Sequence, residues 1–234
     1  MLFTSPMENT FSVNTNQNKS YIAFFDLDKT LIRANSSVIL LRVAYRKKMI
    51  SIKDILKALW LSLLFRFNLR ETERIIGRMV RWLSGVSENS LGELISDAFE
   101  EQMKNLIPES AKSEIRSHKD KNAHVVILSS ALYPVCRIFA DYLDMDDIIC
   151  TMPESSGGIY TGKPAGRLCF GKEKRSRLTG YCEKNNKQTE DAWFYSDSAD
   201  DLPSLEIVGH PVCVNPDRKL KTKAAERGWP VCIW

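Results

Sequence analysis

Short apolar runs alternate along the chain with stretches of helical spacing. Tyr21–Asp26 (YIAFFD) and Ala123–Leu128 (AHVVIL) have the composition of buried strands. Asp147–Cys150, Ala192–Ser196 (AWFYS), Val212–Val214 and Val231–Ile233 read the same way. Helical spacing predicts helices near Glu109–Lys119, Tyr133–Leu143, Lys172–Lys184, Leu202–Val208 and Arg218–Arg227. Gly157-Gly158, followed by Ile159-Tyr160, predicts a hairpin. Strands joined by helical crossovers imply a mostly parallel sheet with helices on both faces, a doubly wound α/β core.

From about Ser36 to Leu106 no strand-like run occurs, and the pattern predicts several helices. In the first of them Val38, Leu41, Val43 and Tyr45 are expected to form the apolar face. Ile55–Phe67 (ILKALWLSLLFRF) is the most hydrophobic segment. It is shorter than the roughly 20 apolar residues a bilayer requires, and Lys57 and Arg66 interrupt it. A buried helix is the plain reading, and a lipid-contacting one the alternative. The expected organisation is a poorly ordered tail over residues 1–20, a core formed by 21–33 and 108–234, and an all-helical insert over 34–107.

Composition leaves this picture intact. Hydrophobic residues make up 44% and charged residues 26%, as in ordinary globular proteins, which excludes disorder or fibre for the bulk of the chain. No two of the six cysteines have the two-residue spacing of a paired zinc ligand, and a chain of 234 residues can build a core without disulfides. Free, mostly buried thiols are expected. The first twenty residues lack a basic start followed by an apolar core, so the chain is expected to be cytoplasmic. The net charge of +4 is too small to announce a nucleic-acid binder.

In open α/β sheets ligands bind beyond the carboxyl ends of the strands. Behind the first predicted strand stand Asp26, Asp28, Lys29 and Thr30, and behind the second Ser129 and Ser130. Behind AWFYS come Asp197, Asp200 and Asp201, and Lys174 opens the helix between these strands. Taken singly, each has a plain use as a turn, helix cap or solvated lysine. Together they gather carboxylates, hydroxyls and an amine on one edge of one sheet. Carboxylates crowded at buried strand ends repel, and Mg²⁺ relieves this because it prefers carboxylate and carbonyl oxygens. Asp26 can then serve as a nucleophile and Asp28 as acid and base. Thr30, Ser129 and Ser130 can donate to phosphoryl oxygens, and Lys174 can offset charge. That set suits phosphoryl transfer, which depends on positioning and charge stabilisation.

FFDLDKTL at 24–31, VVILSS at 125–130, GKEK at 171–174 and YSDSADDLP at 195–203 resemble the motifs of the haloacid dehalogenase-like hydrolases. VNPDRKLKTKAAERGWPV at 214–231 resembles the phosphoserine-phosphatase-like branch of that family. The resemblance implies a Rossmann-like core with a helical cap, and a Mg²⁺-dependent phosphatase acting through an aspartyl phosphate. It implies Asp26 as nucleophile, and Asp28 as acid/base with a metal-binding carbonyl. It also implies Ser129 as phosphate ligand, Lys174 as the site lysine, Asp197 as direct metal ligand and Asp201 as holder of metal-bound water. Asp28 sets the chain apart from dehalogenases and ion pumps, leaving a phosphatase or a mutase.

The departures bear on substrate. Lys29 stands where many related phosphatases have glycine, and Asp200 where phosphoserine phosphatases have asparagine. Asn35 replaces the glutamate that reads the serine ammonium, which argues against phosphoserine. Between Arg33 and Trp82 the chain carries a net +9, and the remainder −5. A solvated helix surface is the plain reading of this basic stretch. An anionic metabolite as substrate is the sharper expectation. The alternatives are a lipid phosphate of the phosphatidylglycerophosphate kind at a membrane surface, or a non-catalytic phosphate-binding or membrane-docking protein.

Overall fold

The computed structural model describes residues 19–51 and 80–234. The expected helix over Ile55–Phe67, and most of the expected tail, lie outside the described residues. Six parallel strands form the main sheet: β1 (Ile22–Phe25), β2 (His124–Leu132), β3 (Asp147–Thr151), then β6 (Trp193–Ser196), β7 (His210–Val214) and β8 (Val231–Cys232). Their order is β3-β2-β1-β6-β7-β8. A separate antiparallel hairpin, β4 (Pro153–Ser156) and β5 (Ile159–Pro164), turns at Gly157-Gly158 as expected.

Alternation along the strands divides the core in two. Ala23, Phe25, Val125, Ile127 and Tyr195 face one side, and Ile22, Phe24, Val126, Leu128 and Phe194 the other. The first side is covered by α1 (Ser36–Arg46), α2 (Glu88–Ala98), α3 (Glu109–Asp120) and α4 (Tyr133–Leu143). The second is covered by α5 (Lys172–Lys184), the short α6 (Leu202–Leu205) and α7 (Arg218–Arg227). Burial on both faces explains why the parallel strands read as continuous apolar runs rather than as alternation. The described residues between 34 and 107 share the first core through Ile39, Leu40, Leu91 and Leu94.

Three local expectations need correction. In α1 the buried face is Ser36, Ile39, Leu40, Val43 and Ala44, a three-to-four-residue spacing, while Val38 and Tyr45 are exposed. The expected set counted every second residue from 41 to 45, which is a strand period. Strand β2 runs on through Ser129 and Ser130 to Leu132, with its pairing to β3 interrupted between Leu128 and Leu132. The helix expected near Leu202–Val208 is confined to α6, preceded by a tight turn at Ala199–Asp201.

His118 of α3, almost fully buried, ties the sheet to that helix. Tyr195 Oη donates to Glu114 Oε1 at 2.6 Å. Tyr195 Oη therefore accepts from His118 Nε2 at 2.7 Å, and Nδ1 accepts from Tyr21 Oη at 2.9 Å. All six cysteines are free, and five are buried. Among the described residues no helix is long and apolar enough to cross a membrane.

Candidate active site

Phe25 pairs with Ile127 on one side and with Tyr195 on the other, so β1 and β6 end side by side, level with the Leu128–Ser129 stretch of β2. This register delivers Asp26, Ser129 and Asp197 to one edge of the sheet. The Asp26 N–H donates to the Tyr195 carbonyl at 2.9 Å, extending the β1–β6 ladder by one bond. Beyond it the chain coils tightly. Leu27 accepts from the Thr30 and Ile32 N–H groups, and Lys29 N–H donates to Ala34 O at 3.0 Å. Leu27, Leu31 and Ile32 anchor this coil in the core with no exposed surface. Lys29 takes a left-handed conformation, φ 58°, which explains why glycine suits this position.

Lys174, in the first turn of α5, is 2% exposed. Its Nζ donates to Asp26 Oδ1 at 3.1 Å and to both Asp201 oxygens at 2.9 and 2.8 Å. Burial favours the neutral amine, but Asp201 and Asp26 outweigh it and hold the ammonium above the ordinary lysine range. Asp201 also accepts from Ser196 Oγ at 2.6 Å. The position of Ser196, one residue before Asp197 at the strand end, was the signal that could have identified it. Burial raises the Asp26 carboxyl, Lys174 opposes this, and Asp201 adds to it.

Asp28 lies half-buried at the start of α1, where its Oδ1 accepts from the Ser36 N–H at 2.8 Å. Burial pushes its carboxyl up to about 6 against that hydrogen bond. Asp197 is 7% exposed, and Lys29 Nζ approaches its Oδ2 at 4.0 Å. Burial and the nearby Asp26 push Asp197 up to about 8, with Lys29 opposing. Asp200 is raised by burial and by its neighbours Asp201 and Asp217.

The hydroxyls divide. Thr30 is 1% exposed and its Oγ1 has no hydrogen-bond partner among the described residues, an expensive arrangement unless a ligand oxygen completes it. Ser129 is equally buried, its Oγ accepting from Ala131 N–H at 3.3 Å. Ser130 is exposed.

This donor set fits a divalent cation. Asp197 carries a buried carboxylate beside Asp26, and Lys29 is the nearest cation to it among the described residues. No three Asp, Glu, His or Cys side chains gather as a metal cage among the described residues. Two carboxylates and a main-chain carbonyl suit a hard ion that keeps part of its water. Asp201 is occupied by Lys174 and Ser196.

The basic charge of the stretch between Arg33 and Trp82 is partly cancelled in space. Arg46 pairs with Glu101 and Lys47 with Asp97, acids that lie beyond the basic stretch in sequence. Asn35 spends its Oδ1 on capping α1, accepting from Val38 N–H at 3.1 Å.

Comparison with known proteins bears on the family and the fold. The model of the haloacid dehalogenase-like hydrolases matches residues 23–206. A Streptomyces azureus relative named inhibition of morphological differentiation protein is 29% identical over 214 residues, covering 89% of this chain and 76% of its own. A Mycobacterium tuberculosis relative named phosphoserine phosphatase is 26% identical over 213 residues, covering 89% of this chain and 69% of its own. Among solved structures, a Bordetella pertussis protein of unknown function superposes with a TM-score of 0.84 at 24% identity. The match covers 92% of this chain and 99% of that one.

Proposed function

The chain belongs to the haloacid dehalogenase-like hydrolases, and from that membership we propose a phosphomonoester hydrolase that works through an aspartyl phosphate on Asp26. A phosphatase is also what the name of the Mycobacterium tuberculosis relative suggests. The observation that carries the reading is Lys174 Nζ seated on Asp26 Oδ1 at 3.1 Å, with Asp28 following two residues later in the same coil.

In the first step an Asp26 oxygen attacks phosphorus, the ester P–O bond breaks, and Asp28 gives its proton to the departing alcohol oxygen. In the second, water attacks the phosphorus as Asp28 takes back a proton. The bond to Asp26 then breaks, inorganic phosphate leaves and the carboxylate is restored. A group that titrates near 6 is suited to both duties at neutral pH. Lys174 opposes the rise that burial imposes on the Asp26 carboxyl and stabilises charge on the transferring group. Thr30 Oγ1 and Ser129 Oγ donate to the phosphoryl oxygens, with Ser130 beside them at the rim. Mg²⁺ would be held by the Asp26 and Asp197 carboxylates and the Asp28 main-chain carbonyl, with Asp201 behind them. When bound, it neutralises phosphoryl charge.

Residues 34–107 are read as the cap that selects the alcohol. Asn35 offers no carboxylate and is committed to its helix cap, which favours an anionic metabolite over an amino-acid ester carrying a free ammonium. The test is phosphate release from a panel of aryl, sugar, amino-acid, nucleotide and lipid phosphates, with wild type and Asp26→Asn compared. We expect Asp26→Asn to fold and to lose at least about 10⁴-fold in kcat. Retained turnover would refute the nucleophile, and turnover confined to lipid phosphates would refute the soluble substrate.

A further inference from the structure

Three residues, Asn215-Pro216-Asp217, join β7 to α7, and they face both loops that carry the site carboxylates. Towards the first loop, Asn215 Nδ2 donates to the Lys29 carbonyl at 3.3 Å. Lys29 lies between Asp28 and Thr30. Asn215 Oδ1 accepts from the Trp234 N–H at 3.0 Å, and the Trp234 carbonyl accepts from Arg33 Nε at 2.9 Å. The coil 26–34 is therefore held near its middle and near its end by one connected set of bonds.

Towards the second loop, the Asp217 N–H donates to the Asp197 carbonyl at 2.8 Å. Asp217 Oδ2 accepts from the Ala199 N–H at 2.9 Å. Its Oδ1 caps α7 through the Leu220 N–H at 2.8 Å. An N-cap requires only one oxygen. The second oxygen and the main-chain N–H of Asp217 are spent on the loop of Asp197.

The residue types match these demands. Asn215 has φ 43°, a left-handed backbone that asparagine tolerates and most residues resist. It must also donate with one side-chain atom and accept with the other, which the amide does.

We propose that the Asn215–Asp217 turn is a clamp that sets the spacing between the Asp26–Asp28 coil and the Asp197 loop, and with it the affinity for a divalent cation. The proposal rests on the reading that these carboxylates hold such an ion. The turn touches neither ion nor substrate, so its residues are positioning residues. A cation bridging two separately anchored loops is sensitive to their separation, because ligand sites require placement within about 0.5 Å.

The test uses Asn215→Asp, which keeps the acceptor for Trp234 but sets an oxygen against the Lys29 carbonyl. Asp217→Asn is its counterpart, keeping one cap oxygen while presenting an amide to the Ala199 N–H. Asp217→Ser retains a cap hydroxyl and drops only the second contact, so one conservative form remains if the others fold poorly. Binding of Mn²⁺ without substrate is followed by electron paramagnetic resonance, beside kcat and KM for an aryl phosphate at saturating metal and thermal melting. We expect Mn²⁺ affinity to fall about ten- to a hundredfold, with KM within about twofold of wild type. Variants that melt lower but bind Mn²⁺ like wild type would overturn the clamp while leaving the cation site standing. A wild type that binds no Mn²⁺ would overturn the cation reading and the clamp with it.

Discussion

Replacing Lys174 with methionine leaves Asp26 and Asp201 buried without the ammonium that touches both. The two carboxylates are 7% and 3% exposed, and the lysine 2%. Its three hydrogen bonds lie between 2.8 and 3.1 Å. Water cannot replace the lost countercharge at that depth. Breaking a buried pair by removing one partner costs about 3–5 kcal/mol, because the other partner stays charged and desolvated. For a chain of this size that is a fall in melting temperature of roughly 6–20 °C. The loss must depend on pH. Without Nζ the main opposition to the burial and the Asp201 charge that raise the Asp26 carboxyl is gone, so it titrates higher in the folded state than in the unfolded chain, where aspartate sits near 3.9. That part of the deficit is full above the raised folded value of Asp26, shrinks as pH falls through it, and vanishes below the unfolded value. Melting followed by circular dichroism in chelator, at about pH 8 and about pH 5, separates the cases. The variant should lie much closer to wild type at the lower pH, and adding Asp201→Asn should restore part of the loss. A deficit equal at both pH values, or below about 1 kcal/mol at the higher, would refute the charge argument and leave only altered packing.

Ser36→Pro removes the N–H that Asp28 accepts at the first helical position of α1, where proline is well tolerated. Asp28 should then titrate above its present value of about 6, so the alkaline limb of kcat/KM should move to higher pH; an unmoved limb would remove Asp28 as the acid. Burial pushes His118 down to about 4 from 6.5, with Glu114 opposing. The unfolded chain therefore takes up a proton that the native state refuses, and stability should decline as pH falls from about 6.5 towards about 4. Urea titrations of His118→Gln should give a flatter profile over that window, and a slope equal to wild type would refute the assignment. Gly162 has φ 77°, and a Cβ there would meet Ser84 Cβ at 2.9 Å. Gly162→Ala should cost about 1–3 kcal/mol by chemical denaturation, and a neutral result would show that the seam between β5 and residues 81–84 yields easily.

Much of the site was legible because each carboxylate follows an apolar run that could only be a buried strand. Asp26, Ser129 and Asp197 fall together once the three strands are parallel and in register. Lys174 could be placed in the first turn of a helix, but not on two carboxylates at once. The face of α1 was misjudged because Leu41, Val43 and Tyr45 alternate like a strand, while the helix turned Ile39, Leu40 and Ala44 inward.

The order of the chain by itself determined the doubly wound sheet, which residues follow its strands at one edge, and the family, since strand runs, crossovers and motif spacing are local properties. Tertiary structure alone decided how the charges are paired. Arg46 meets Glu101, 55 positions away in sequence, and Lys174 meets Asp26 across 148. It alone set Asp28 under the Ser36 N–H and laid Asp217 across the loop of Asp197. Coulomb energies and hydrogen bonds depend on distance and burial in space, and neither quantity is written in the order of residues.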